Sequence, residues 1–345
     1  MRKRDDMDEV RTFTADREGE RLDRFLVRME PNVSRSYIQK CLDAGKSCVN
    51  GKAAKQNRKL AAGDTVTFAM LNCESSNILP EDIPLAVLYE DADIIVIDKA
   101  RGMVVHPASG VYTGTLVNAL LFHCKDLSGI NGEIRPGIVH RLDKNTSGVM
   151  VAAKNDAAHL SLAKQIREKT AKRRYFAICH GNISEEAGTI KGAIGRHPTD
   201  RKKMAIVYEN GKPAVTHFKV LKRYGDYTFL ECQLETGRTH QIRVHLASIG
   251  HSLVSDDKYG PRKKSSFAIK GQALHSHTLS LTHPRTGKRM TFTAPVPSDM
   301  QVILDRLDKK LWKVLIREVY HASIKGQDNH HGHGSNSACT HTHRT

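Results

Sequence analysis

Apolar residues recur along the chain at two periods, and the change from one to the other divides it. Near the N-terminus Leu22, Phe25, Leu26 and Met29 fall at helical spacing, with Arg21, Arg24 and Arg28 between them, until Pro31-Asn32 ends the pattern. Ser34 can cap a second helix with the apolar face Tyr37, Ile38, Cys41 and Leu42, closing at Gly45. Cys48-Val49-Asn50-Gly51-Lys52 contains the Asn-Gly pair of a tight hairpin turn, and Gly63-Asp64 turns into the alternating strand Thr65-Val66-Thr67-Phe68. Residues 1–14 are polar and expected to be loose. Residues 71–84 are acidic, include Pro80 and Pro84, and read as a linker.

Beyond the linker, strands at Leu85–Tyr89 and Ile94–Ile97 flank the turn Glu90-Asp91-Ala92-Asp93. Helices are expected at Thr115–His123 and from Asp156 to about Lys169, the second burying Leu160, Ala163 and Ile166. Strands then dominate: Tyr175–Cys179, Ala214–Leu221 and the alternating Tyr227–Leu234. A helical pattern at His240–Ile249, a hairpin of Leu279–Leu281 with Met290–Phe292, and an amphipathic helix at Met300–Leu315 complete the order. Strands and helices mix without steady alternation. The expected class is α+β, a largely antiparallel mixed sheet with flanking helices, preceded by a small module. From about His321 the chain is rich in His, Gly, Ser and Thr and is expected to be disordered.

Composition adds a partner class. The 345 residues carry 54 Lys+Arg against 37 Asp+Glu, a net charge of +17, which favours a polyanion, nucleic acid before membrane. Arg35, Lys40, Lys52 and Arg58 belong to the polar positions of the N-terminal module and are candidate RNA contacts. The seven cysteines are scattered without a Cys-x-x-Cys and read as reduced thiols. No signal-peptide pattern or membrane-length apolar run is visible, so the expected location is the cytoplasm, with no membrane partner.

The chemistry centres on His140-Arg141-Leu142-Asp143-Lys144-Asn145-Thr146-Ser147-Gly148. The apolar runs Gly137-Ile138-Val139 and Val149-Met150-Val151-Ala152 flank it, giving strand, loop, strand. Positive charge from Arg141 and Lys144 favours the ionised form of a carboxylate at Asp143, and an ionised carboxylate on a rigid strand end can act as a nucleophile. Taken alone, a turn-capping aspartate paired with an arginine explains it as well. Phosphate-loop, dinucleotide, nucleophile-elbow and His-Glu-x-x-His patterns are all missing. His275 and His277 alternate within a strand, but no third metal ligand stands at a recognisable spacing.

These nine residues resemble the signature of the RluA family of pseudouridine synthases. Two further blocks extend the resemblance: Lys172-Arg173-Arg174-Tyr175-Phe176-Ala177, and Leu234-Glu235-Thr236-Gly237-Arg238-Thr239-His240-Gln241-Ile242-Arg243-Val244-His245. It implies a pseudouridine synthase fold with Asp143 as the nucleophile and Tyr175 facing it, its ring for stacking and its hydroxyl for proton transfer. Arg238 would pair with Asp143, and Arg141 would fill the space left by the turned-out base. The N-terminal module resembles the alpha-L RNA-binding motif. Arg196-His197-Pro198-Thr199, Arg201-Lys202-Lys203-Met204 and Gly211-Lys212-Pro213-Ala214-Val215-Thr216-His217 resemble the RluD-like branch, which modifies helix 69 of large-subunit (23S) ribosomal RNA.

The implied reaction detaches uracil from C1′, rotates it and rejoins it through C5, without metal or organic cofactor. Attack on the ribose, attack on the base and a glycal route all remain open. The implied domains are a flexible 1–14, an alpha-L module at 15–75, a linker at 76–84, a catalytic domain at 85–318 and a His-rich tail at 319–345. Ribosomal RNA is the expected partner and a monomer the expected state. Ser252 and Ser255 depart from the family, where Pro and Gly are usual. The rival readings are a non-catalytic ribosome-assembly factor, a synthase acting on other rRNA or tRNA uridines and, more weakly, a metal-dependent nuclease.

Overall fold

A computed structural model describes residues 10–328 apart from 32, 34, 70–77, 108–110, 126, 130–135 and 262–264. The N-terminal module comprises β1 (Val10–Thr14), α1 (Leu22–Met29), α2 (Arg35–Asp43), β2 (Ser47–Val49), β3 (Lys52–Ala53) and β4 (Thr65–Ala69). Both helices form from the apolar stripes described above, and Phe25, Leu26, Ile38 and Cys41 are fully buried against Val66 and Phe68 of the sheet. The expected capping residue Ser34 lies outside the described residues. Asn50 and Gly51 take φ of 51° and 76°, the left-handed pair that joins β2 to β3. Residues 10–14, expected to be loose, are a strand. β1 pairs antiparallel with the edge of β4, and Phe13 meets Phe25 edge-on at 6.3 Å.

The larger domain contains β5 (Ala86–Glu90), β6 (Ile94–Lys99), α3 (Leu116–His123), β7 (Ser147–Ala153), α4 (Asp156–Arg167), β8 (Lys172–His180) and β9 (Ala187–Lys191). Then follow β10 (Ile194–Arg196), β11 (Met204–Ile206), β12 (Val215–Arg223), β13 (Tyr227–Leu234), α5 (Gln241–Ser248), β14 (Leu274–Thr282), β15 (Arg289–Thr293) and α6 (Ser298–Asp328). The main sheet has nine strands in the order β5-β6-β7-β14-β8-β13-β12-β9, with β15 on β14. Its pairs are antiparallel except β7 with β14. β10 and β11 form a separate two-stranded hairpin. The α+β class expected from the pattern is therefore the one observed.

Three details differ from the expectation. In α4 the buried residues are Ala158, His159 and Leu162, while Leu160 is exposed. Two apolar stripes run through Ile166 at helical spacing, and the sheet beneath accepts the i−4, i−8 stripe instead of the i−3, i−6 one. Ile78–Ile83, read as the end of a linker, is tied to the catalytic domain. Asn118 donates to the Leu79 carbonyl at 2.8 Å, and the Glu81 carboxylate accepts from the Gly114 amide at 3.0 Å. Finally, α6 continues to Asp328, beyond the expected end at Leu315 and into the stretch expected to be disordered. Extending an existing helix needs no new nucleus, and no proline interrupts these residues. The rest of the His-rich tail lies outside the described residues.

Candidate active site

Asp143 is presented by the turn that feeds β7. The first apolar run makes only a single bridge, Ile138 to Ala152, in place of the expected full strand. The chain crosses over through Thr146, whose amide donates to the Asp143 carbonyl at 3.0 Å. β7 then starts against β14 with no room for a side chain. At Gly148 φ is 111°, and a Cβ there would run into the backbone of Ser276. Lys99, at the end of β6, fixes the same turn from beneath. Its ammonium is buried and donates to the carbonyls of Ala100, Met103 and Lys144 at 2.8, 2.9 and 3.2 Å. Burial, reinforced by the Arg101 charge, pushes its pKa down to about 7, with Asp143 and Asp98 acting the other way.

The Asp143 carboxylate is 19% exposed, open enough for a substrate to reach. Its partner is Arg243, not Arg238: Arg243 Nη1 donates to Asp143 Oδ2 at 3.1 Å. Arg243 is itself held by Asp256 through a fork, Nε to Oδ2 at 2.7 Å and Nη2 to Oδ1 at 2.8 Å. Burial opposes the charge on both groups. Their pairing outweighs it, so the guanidinium pKa rises and the Asp256 carboxyl stays below its ordinary value. Arg238 instead turns its Nε to the Pro213 carbonyl at 3.2 Å, while its amide donates to the Gln241 side chain. The difference is one of helix geometry. Arg238 precedes α5, whereas Arg243 projects from its first turn among Ile242 and Val244. A charge inside an apolar helical run must find a buried partner, and that was the available signal for Arg243.

His240 opens α5 from a left-handed backbone, φ 56°. Its Nε2 lies 3.9 Å from Asp143 Oδ2, and its Nδ1 is 2.8 Å from the Tyr259 hydroxyl. That hydroxyl also accepts from the Met204 amide at 2.9 Å. Burial lowers the His240 pKa and favours the neutral ring.

Tyr175 comes from the middle of β8, buried in the cluster that also includes Leu142 of the Asp143 turn. Burial chiefly raises the pKa of its phenol, the Asp143 charge adds to the rise, and Arg173 opposes it. Arg141 is exposed two residues before Asp143. Lys52 and Arg58 are exposed on the N-terminal module, far along the chain from this cluster, whereas the side chains of Arg35 and Lys40 lie outside the described residues. His275 and His277 bond within the sheet: His275 Nδ1 to Ser147 Oγ at 2.9 Å, and His277 Nδ1 to the Ala294 carbonyl at 2.8 Å.

The arrangement offers a partly accessible carboxylate, Asp143, on a permanent cation that also contacts the exposed Asp257 at 3.3 Å, with a phenol nearby. Hydrolysis of a glycosidic bond calls for a second carboxyl group that is protonated. Asp256 cannot supply it, because both its oxygens are engaged by Arg243 and its proton affinity is lowered, and Asp257 accepts from the same guanidinium at 3.3 Å.

Comparison with known proteins bears on the same residues. Residues 93–248 match the family described as RNA pseudouridylate synthase, and residues 20–66 match the S4 domain. An RNA pseudouridine synthase of Bacillus subtilis is 51% identical over 86% of this chain and 97% of its own. A Neisseria meningitidis serogroup B protein named ribosomal large subunit pseudouridine synthase D is 44% identical over 84% of this chain and 79% of its own. Among solved structures, human RNA pseudouridylate synthase domain containing 1 aligns with a TM-score of 0.51 and 25% identity, covering 66% of this chain and 96% of that one.

Proposed function

The chain belongs to the RNA pseudouridine synthase family, and on that premise we propose that it isomerises specific uridines of large-subunit ribosomal RNA, with Asp143 as the nucleophile. The enzyme is an isomerase. Its reaction breaks the N1–C1′ bond, turns the uracil and joins C5 to C1′, with the C5 proton passing to a base, N1 taking up a proton, and no water consumed. The observation that carries the site is Asp143 itself, the accessible carboxylate fixed by Arg243. A guanidinium that is always charged keeps the carboxylate oriented for attack.

In this reading Tyr175 meets the uracil ring and serves proton transfer. The target base is stacked in folded RNA and has to be turned out to reach Asp143, and the exposed Arg141 enters the gap. The S4 domain supplies affinity and placement through exposed Lys52 and Arg58, since contacts to phosphates position a protein without reading sequence. Relatives carrying the name ribosomal large subunit pseudouridine synthase D support the large subunit as substrate. The resemblance to the RluD-like branch points within it to helix 69.

The test is incubation of the purified protein with large-subunit ribosomal RNA, followed by carbodiimide mapping of pseudouridine. Wild type is expected to modify uridines in helix 69, whereas Asp143→Asn binds the RNA with similar affinity and modifies none. Turnover by Asp143→Asn at close to the wild-type rate would remove Asp143 from the mechanism. Modification confined to other RNA would move the target.

A further inference from the structure

β8 places two side chains of opposite chemistry on one face. Residues two apart in a strand point the same way, so Arg173 lies on the Tyr175 side, roughly 7 Å along the strand, while Lys172 and Arg174 face outward. Arg174 has a carboxylate for company, Glu231 at 3.7 Å. Arg173 is only 6% exposed, its Nε is buried with no hydrogen-bond partner, and no carboxylate among the described residues forms an ion pair with it. A buried guanidinium without a counter-charge is costly, so an anion bound against it would offset that cost.

Gly237 is exposed, and a Cβ at that position would lie 2.8 Å from Arg173 Nη1. The Gly237 backbone is not left-handed, so its conformation does not demand glycine; a Cβ there would instead push aside the flexible end of Arg173. The next residue, Arg238, brings a second guanidinium whose Nε bond goes to a neutral carbonyl, that of Pro213. His140 feels the same charge: its pKa is lowered by burial and then by Arg173, to about 3. Its Nε2 accepts from the Val151 amide at 3.2 Å, so the neutral ring keeps its proton on Nδ1, which is buried and unpartnered.

We propose that Arg173, reached over Gly237 and flanked by Arg238, seats a phosphodiester of the substrate RNA next to the target uridine. Two guanidiniums without a carboxylate suit a doubly contacted anionic oxygen pair, which a uracil carbonyl cannot match in charge. The position also fits, because Arg173 is on the same strand face as Tyr175, where the target base is placed. This assignment rests on the reading of Asp143 and Tyr175 as the reaction centre, and it gives the Arg173 charge, which no carboxylate among the described residues pairs with, a role in the bound state.

The experiment uses the full-length protein and stem-loops of large-subunit ribosomal RNA in which single phosphodiesters around the modified uridine are replaced, one at a time, by neutral methylphosphonates. Dissociation constants are measured for wild type, Asp143→Asn and Arg173→Gln. One neutral linkage is expected to weaken wild type roughly tenfold or more, the size of a lost charge-assisted contact. Asp143→Asn keeps that penalty, since binding does not need the nucleophile, so failure of the nucleophile assignment leaves this result intact. Arg173→Gln binds the all-phosphate RNA weakly from the start and loses nothing further at that one linkage, while penalties at the other linkages persist. The same methylphosphonate profile in Arg173→Gln as in wild type overturns the proposal. Should Arg173→Gln fail to fold, Gly237→Ala pushes the guanidinium aside without removing its charge. It is expected to erase the same single penalty, and an unaltered profile there overturns the proposal equally.

Discussion

Arg243 and Asp143, a hundred residues apart in the chain, meet at 3.1 Å between Nη1 and Oδ2. The contact is directional because Asp256 grips the rest of the guanidinium, leaving one edge of the fork for Asp143. Three carboxylates share this arginine. The buried Asp256 holds the cation in place, the exposed Asp257 takes a longer contact of 3.3 Å, and the partly open Asp143 is the one proposed for chemistry.

Arg243→Lys should therefore cost rate more than binding. A lysine retains a charge but cannot span Asp256 and Asp143 together, and the single-turnover rate is expected to fall about a hundredfold, the scale of losing one preorganised electrostatic contact. Arg238→Gln is expected to weaken RNA binding and leave the rate on saturating RNA nearly unchanged. The two variants exchanging these effects would return the pairing to Arg238.

Tyr175→Phe retains the ring and the packing but removes the hydroxyl. Its affinity for RNA should stay near wild type while the rate falls. Tyr175→Ala forfeits stacking worth about 1–3 kcal/mol and also opens a hole in the core. Binding isotherms beside thermal melts separate the two effects, and identical behaviour of both variants would take Tyr175 away from the base.

The buried ammonium of Lys99 makes stability depend on pH in the alkaline direction. Its folded pKa, about 7, lies below the ordinary 10.5. Between these values the unfolded chain holds a proton that the folded one has released, so stability attributable to Lys99 rises as pH increases through the window. Below about 7 both states are protonated and the gain is absent. Denaturant midpoints at pH 7, 8 and 9 should climb more steeply for wild type than for Lys99→Met, and parallel trends would show that Lys99 stays charged throughout.

Ser255 adopts φ 59°, and its hydroxyl is buried without a partner, immediately before the Asp256 that anchors Arg243. Left-handed backbone costs a residue with a Cβ about 1 kcal/mol, and glycine avoids it. Ser255→Gly is expected to raise stability by roughly that amount, read as a higher denaturant midpoint, with unchanged activity. A lower midpoint would mean that the hydroxyl finds a partner in solution.

Much of this molecule was written locally. The helix pair of the S4 domain, the Asn50-Gly51 turn, the strand at Tyr227–Leu234 and the loop presenting Asp143 follow from residue order, because periodicity and turn chemistry act over a few residues. Asp143, Tyr175 and Arg238 were singled out by the family resemblance of their strings, not by periodicity. Sheet order was decided by tertiary structure alone. β14 comes late in the chain yet inserts between β7 and β8, putting Ser276 against Gly148. The packing of α5, and of the loop holding Asp256, then selects Arg243 over Arg238 as the partner of Asp143. The buried face of α4, the pairing of Val10–Thr14 and the three carbonyls around Lys99 were fixed in the same way. Each depends on which distant backbone arrives alongside. A stripe of side chains can state that a face must be buried, but only the neighbouring layer determines against what.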